Sequence, residues 1–370
     1  MGSPTRRMRI ALCAALIVTL FFVFSNLHVS LHDHAIFPDV LSHKLHDTAF
    51  SSAPKDCNPP QTQPTSHDHI IDWSSFAYTQ YVTNEFYLCN SLMIFESLRR
   101  HNTKAQLLMM YPNHWTPAEP NDTDAGYESQ LLAQARDEYD VTLSPIEVRT
   151  YEKPGSTDHT WEDSYTKLFA FNQTQYKRVI ALDSDAIVLD NMDELFLLPP
   201  TPVAMPRAYW LTDYKLSSQI IVIQPSETEF ARIERAMQTH QDDEYDMDIL
   251  HKMYASSSMI IPHRKYDLLS AEFRSDAHEA YLGSKEETWD AKKVLAEAKL
   301  VHFSEWPLPK PWIKVAQGKL DKYTPACRNS TVLGREDCSD REVWLGLRTD
   351  FSARRERICG RPFDLKDKDD

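Results

Sequence analysis

The stretch "RVIALDSDAIVLDNMDELF", Arg178 to Phe196, runs apolar and β-branched residues into Asp183-Ser184-Asp185, turns apolar again, and closes on Asp190, Asp193 and Glu194. An apolar run of this length reads as a buried strand, and ligands of open α/β sheets sit at the carboxyl ends of such strands. Residues two apart in extended chain point to the same side, so Asp183 and Asp185 converge where "VIAL" ends. Two hard oxygen ligands there suit magnesium or manganese bridged to a phosphate. A solvated D-S-D turn is the plain alternative, but such a turn needs no apolar strand on either side. The remaining acids read as structural. Asn191 and Glu194 have capping-box spacing and open "MDELF" as a short helix. Asp193 and Glu194 then lie in its first turn, favoured by the helix dipole, while Asp190 is a turn residue or an alternative cap.

Outward from this stretch the chain alternates. "FAYTQYVTN", "AQLLMMYP", "VTLSPIEVRTY" and "QIIVIQP" are strand regions, and "RVIALDSDAIVL" makes two short strands about the acidic turn. "EFYLCNSLMIFESLRRH", "YESQLLAQARDEY", "SYTKLFAFNQTQY" and "ETEFARIERAMQTH" carry apolar residues at helical spacing. Alternating strands and helices predict an α/β domain with a mainly parallel sheet. No internal repeat is visible. Residues 28–72 are rich in His, Ser, Pro and Asp and read as a stem, whose histidines lack metal-site spacing. The domain is expected over 73–312. After Trp312 the chain turns polar and cysteine-bearing, which reads as an extension, 313–370, packed on the domain.

The chain has 370 residues, 42% of them apolar, enough for a substantial core. Its formal charge of −14, with no long basic run beyond the N-terminus, argues against a nucleic-acid partner. An acidic protein that binds phosphate needs local countercharge, from a metal or a few placed lysines. Arg6, Arg7 and Arg9 end a tail, 1–9, before the uncharged "IALCAALIVTLFFVF"; extended to Leu27, the segment 10–27 is adequate for a membrane span. The positive-inside rule leaves the tail cytosolic and the rest across the membrane. The bulky "LFFVF" end lacks a small-residue cleavage site, so an uncleaved signal anchor is expected rather than a cleaved signal peptide. Sequons at Asn121, Asn172 and Asn329 fit a lumenal location. Cys13 lies in the apolar segment, and Cys89, in an apolar helical pattern, reads as a buried free thiol. Cys57, Cys327, Cys338 and Cys359 allow two bridges in three pairings.

Several motifs taken together resemble family 8 glycosyltransferases, the retaining, nucleotide-sugar-dependent group that includes glycogenin, and most closely its fungal lumenal N-acetylglucosaminyltransferases. The resemblance covers roughly Phe76 to Trp312 and implies a GT-A, Rossmann-like fold behind the N-terminal transmembrane anchor. "YVTNEFYLCNSLMIFESLRRH" resembles the opening strand and helix, where Thr83, Asn84 and Tyr87 match positions that hold the uridine. In "SYTKLFAFNQTQYKRVIALDSDAIVL", Lys167 falls on the lysine near the donor sugar, and Asp183, Ser184 and Asp185 fall on the D-x-D. "SSQIIVIQPS" resembles the N-S-G strand, with Ser218 and Gln219 where serine and glycine are usual. "YDMDIL" resembles D-Q-x-x-L-N and places Asp246 at the sugar and acceptor side; "HFSEWPLPKPW" resembles H-F-x-G-x-x-K-P-W.

The resemblance implies a UDP-sugar donor, a glycan or glycoprotein acceptor, manganese or magnesium, and a Golgi membrane location. His302 then joins Asp183 and Asp185 on the metal, and Lys310 adds charge to the diphosphate. There are departures: His302 to Lys310 is two residues longer than usual, and Met247 and His251 replace the family glutamine and asparagine. Asp248 shares a face with Asp246 in extended chain but not on a helix, and "DDEYDMD" also fits a solvated acidic rim. Retention is implied, by front-face reaction or by double displacement with Asp246 as nucleophile. Two other classes stand beside this one. A haloacid-dehalogenase-type phosphatase also runs a strand into D-x-D, but near the start of its domain and with a later G-D-x-x-x-D that is missing here. A membrane-anchored, non-catalytic sugar-binding protein would show no metal-dependent turnover of UDP-sugars.

Overall fold

The computed structural model describes residues 71–151, 162–241, 244–330, 335–363 and 365–366. The tail, the apolar segment 10–27, the stem and Cys57 lie outside them. Among the described residues no helix is long and apolar enough to cross a membrane.

The centre is a seven-stranded sheet in the order β3-β2-β1-β4-β7-β6-β8. Its strands are β1 (Phe76–Tyr81), β2 (Gln106–Pro112), β3 (Val141–Ile146), β4 (Arg178–Leu182), β6 (Val203–Pro206), β7 (Ile220–Ile223) and β8 (Met259–Ile261). The pairings among β1, β2, β3 and β4 are parallel, as is β6 with β8. Only β7 runs against its neighbours. The mainly parallel α/β sheet expected from the alternation is therefore present, with one reversed strand.

Strand periodicity feeds two cores. Tyr78, Leu107, Met109, Ile180, Leu182, Ile220 and Val222 face one side, and Ala77, Leu108, Met110, Val179, Ala181, Ile221 and Ile223 face the other. Burial on both faces is why these strands read as unbroken apolar runs. Helices α1 (Glu85–Arg100) and α2 (Tyr127–Tyr139) cover the first side. On the second lie α3 (Glu227–Gln238), α4 (Asp246–Tyr254) and Ser164–Asn172, a helix as expected and of the 3-10 kind.

After β4 the chain leaves the large sheet. β5 (Ala186–Val188) pairs antiparallel with β10 (Leu300–His302), which pairs parallel with β9 (Leu268–Leu269). The acidic turn Asp183-Ser184-Asp185 is the junction between the two sheets.

The segment after Trp312 holds a 21-residue helix, α5 (Ser339–Cys359), that packs on α1. Here the reading of Cys89 is corrected. It is buried, but it is not a free thiol: it bridges to Cys359 with Cα atoms 6.0 Å apart, while Cys327 pairs with Cys338. The apolar helical setting of Cys89 hid this because its partner lies 270 residues along the chain. Arg354 and Arg355 line the same seam. Arg354 donates to Met93 O at 3.0 Å and Glu96 Oε2 at 2.9 Å, and Arg355 donates to Asn90.

Candidate active site

Backbone register builds the site. The Asp183 N–H donates to Gln219 O at 3.0 Å, which continues the β4–β7 ladder one residue past Leu182. Asp185 precedes β5; its carbonyl accepts from Phe303 N–H at 2.8 Å, and His302 pairs with Ala186 across the ladder. Residues far apart in sequence thus come together. His302 Nε2 lies 3.0 Å from Asp185 Oδ1 and 3.7 Å from Asp183 Oδ2. One ligand atom from each of the three falls within 4.8 Å of the others. Two carboxylates and an imidazole are a donor set for manganese or magnesium. The His302 Nδ1 is buried and meets no partner among the described residues.

Two lysines supply the countercharge. Lys310 Nζ reaches Asp185 and donates to Phe303 O at 2.6 Å. Lys167, 3% exposed, lies between Asp183 Oδ1 at 2.6 Å and Asp246 Oδ2 at 2.7 Å, and also donates to Ser218 O at 3.1 Å. Burial works against the Lys167 charge, but Asp183 and Asp246 outweigh it and hold the ammonium above its ordinary range. Burial also raises Asp185, yet His302 and Lys310 keep that carboxyl well below the usual range. Asp183 goes the other way: burial lifts it, Lys167 opposes, and Asp185 adds repulsion. The D-x-D pair is thus electrostatically unequal.

The remaining predicted residues fall around this centre. Asn84 caps α1, its Oδ1 accepting from Phe86 N at 3.1 Å and Tyr87 N at 3.2 Å, so this oxygen serves the helix. Thr83 Oγ1, beside the cap, is buried without a partner among the described residues. The Tyr87 ring packs 5.8 Å from Trp312, and burial, then Asp185, pushes its hydroxyl above its ordinary range. Ser184 and Ser218 are buried, and Gln219 buries Oε1 with no partner among the described residues. Asp246 opens α4 and points at Lys167, whereas Asp248 pairs with Lys215 and accepts the Tyr245 N–H at 3.1 Å. A helix separates the two acids, as the spacing argument requires.

The other acids of the opening stretch are structural, though not as a capping box. Asn191 Oδ1 accepts the Asp193 N–H at 2.7 Å, while Glu194 turns away to Tyr266 at 2.8 Å and Lys299 at 2.6 Å. The 3-10 helix Asp193–Leu197 takes Met192 and not Asn191 as its N-cap, which leaves Asn191 one position outside and Glu194 at the second helical residue. Asp193 is buried and accepts from Tyr78 Oη at 3.0 Å, Thr103 Oγ1 at 2.6 Å and Lys104 N at 2.8 Å, fastening β1 to the turn after α1.

Two groups escaped sequence reasoning. Asp267, just before β9, is fully buried; burial and Asp183 push its carboxyl up to about 8, against the Ser217 hydroxyl and Lys167. Gln80 donates to Leu182 O at 2.8 Å and accepts from Ser91 at 3.0 Å, bracing the strand that ends at Asp183. Neither stands in a motif, and only the fold brings them here.

No protein-family model matches the chain. It is 52% identical over 298 residues to glucose N-acetyltransferase 1 of Gibberella zeae, covering 78% of this chain and 63% of that protein, so it spans under two thirds of that relative. It is 44% identical over 315 residues to the Aspergillus fumigatus protein of the same name, covering 81% of each. A glycogenin of Neurospora crassa matches at 22% identity over 64% of this chain and 31% of that one. Among solved structures, the glycosyltransferase GlyE of Streptococcus pneumoniae is similar at 16% identity with a TM-score of 0.46, over 77% of this chain and 62% of that one, a likeness too distant to add to the strand order. With four fifths of the Aspergillus protein matched at this identity, the chain belongs to the fungal glucose N-acetyltransferase 1 family and is a transferase.

Proposed function

We propose that the protein moves a hexosyl group, N-acetylglucosamine or another hexose, from a UDP-sugar to a hydroxyl of a glycan. The observation that carries this reading is the convergence of Asp183, Asp185 and His302, with Lys310 on the same carboxylate. These three residues would hold manganese, or magnesium, which when bound neutralises a diphosphate and eases departure of UDP. Lys310 hangs from the loop after His302 and brings further positive charge to the phosphates. Thr83 Oγ1 and Gln219 Oε1, buried without partners among the described residues, can exchange hydrogen bonds with the donor, beside Asn84, Tyr87, Ser184 and Ser218. Lys167 holds Asp246 toward the sugar and acceptor side. A carboxylate so paired is a poor nucleophile, which favours departure and attack on one face over double displacement.

A Golgi membrane placement with the domain lumenal is part of the proposal. It is supported by the basic tail before an apolar segment, by exposed sequon asparagines at 121 and 172, and by two disulfides, which persist in oxidising compartments.

The test uses the purified full chain with UDP-N-acetylglucosamine, UDP-glucose and UDP-galactose, in manganese or in chelator. Metal-dependent release of UDP from one donor is expected, and Asp185→Asn removes it. The relatives' name speaks of an acetyl group, so acetyl-CoA is assayed in parallel. Release of CoA without UDP from any donor overturns the reading.

A further inference from the structure

Between His302 and Lys310 the chain leaves the site and returns. Both ends are held: Phe303 N–H donates to Asp185 O at 2.8 Å, and Lys310 reaches the Asp185 carboxylate. Midway, Glu305 turns inward and is 5% exposed. Its carboxylate accepts from Trp344 Nε1 at 2.9 Å and from Arg348, and its carbonyl accepts from Arg274 Nη1 at 3.0 Å. Phe303, Leu308 and Trp312 are buried, and the Leu308 N–H closes a turn onto Glu305 O at 2.9 Å.

Trp306 occupies that turn and is 90% exposed. Every other described tryptophan is buried or half-buried. A single exposed apolar side chain needs no explanation by itself; what singles out Trp306 is a large indole held in place on the loop that joins His302 to Lys310. The presentation is rigid because Glu305 is pinned from below and Pro307, Pro309 and Pro311 each fix their own φ. Trp306 is four residues from His302 and four from Lys310. Even a fully extended chain would keep its backbone within ~14 Å of either, and the turn brings it closer.

We propose that Trp306 is the platform on which a pyranose ring of the acceptor glycan stacks, next to the donor site. This rests on the glycosyl-transfer reading above. A pyranose offers one face of C–H groups bounded by hydroxyls, and the electron-rich indole face complements those C–H groups. Preorganisation by Glu305 and the prolines lowers the ordering cost of capturing the ring. A lipid surface would need a continuous apolar face. Within the loop from Phe303 to Trp312, no other large apolar side chain is exposed.

The test is saturation-transfer NMR on the full chain with UDP and magnesium, using methyl α-mannoside, methyl β-galactoside and a mannose trisaccharide as probes. At least one saccharide is expected to bind through its ring C–H protons. Trp306→Ala raises its Kd about tenfold or more, and Trp306→Phe recovers most of the loss. In transfer assays the effect falls on the acceptor KM, with UDP-sugar hydrolysis in the absence of acceptor within about twofold of wild type. An unchanged Kd in Trp306→Ala, or no saccharide binding by wild type, overturns the proposal. So does a Trp306-dependent blue shift of emission in phosphatidylcholine vesicles that no saccharide produces. Failure of the wild type to release UDP from any donor counts against the transfer reading instead, whereas intact UDP release with an unchanged saccharide Kd counts against Trp306 alone.

Discussion

Replacing Asp267 by asparagine should change how the stability of this protein depends on pH. The wild-type carboxyl is fully buried, and burial with Asp183 nearby pushes it up to about 8. In the unfolded chain it titrates near 4. Above that pH the unfolded state has lost its proton while the folded state still holds one, so the folded-state advantage is complete below about pH 4 and disappears as pH rises through about 8. In that window the wild type loses about 1.4 kcal/mol per pH unit through this group. The amide that Asp267→Asn introduces cannot titrate. Whatever constant cost that amide carries, the variant gains on the wild type by about 2.7 kcal/mol between pH 5 and pH 7. For a folded unit of about 300 residues that is a relative shift in Tm of about 4 °C. Thermal melts of both proteins at pH 5, 6 and 7 in chelator measure it. Parallel curves would refute the reasoning, because they would mean that Asp267 is already ionised in the folded state.

Three further outcomes are expected. Lys167→Met leaves Asp183 and Asp246 buried without their shared cation and should destabilise the fold by about 3–5 kcal/mol; urea unfolding reads this, and a change below about 1 kcal/mol would mean that water already screens the pair. Manganese at a hundred times its Kd should stabilise the wild type by about 2.7 kcal/mol, seen as a rise in Tm that chelator reverses and that Asp185→Asn abolishes. Breaking the Cys89–Cys359 bridge by Cys359→Ser frees a loop of 270 residues; the chain-entropy account assigns about 5–6 kcal/mol to that closure, and reductant should lower the wild-type Tm toward that of the variant.

Much of the fold was legible because its elements announce themselves locally. β1, α1, β2, α2, β4, β7 and α3 stand within a few residues of where periodicity places them. The elements that were missed carry mixed signals. β6 is four residues long, preceded by Pro202 and ending on Pro206, so it has neither length nor clean alternation. α5 reads as a polar extension because its buried face includes Arg354 and Arg355, which reach Glu96 and Asn90 of α1. The 3-10 form of Ser164–Asn172 was likewise invisible, since apolar spacing over nine residues does not distinguish it from an α-helix.

By itself the sequence determined that Asp183 and Asp185 end a buried strand, that strands and helices alternate around them, and that Asp193 and Glu194 serve the fold. These follow from period, polarity and turn chemistry within a dozen residues. Only the tertiary structure decided that the chain changes sheets between Asp183 and Asp185, and that His302 arrives there by pairing with Ala186. It also decided that Lys167 is shared with Asp246, that Asp267 is buried nearby, and that Cys89 finds Cys359. Each of these contacts closes a long stretch of chain. Such closures depend on sheet register and packing, which no local pattern encodes.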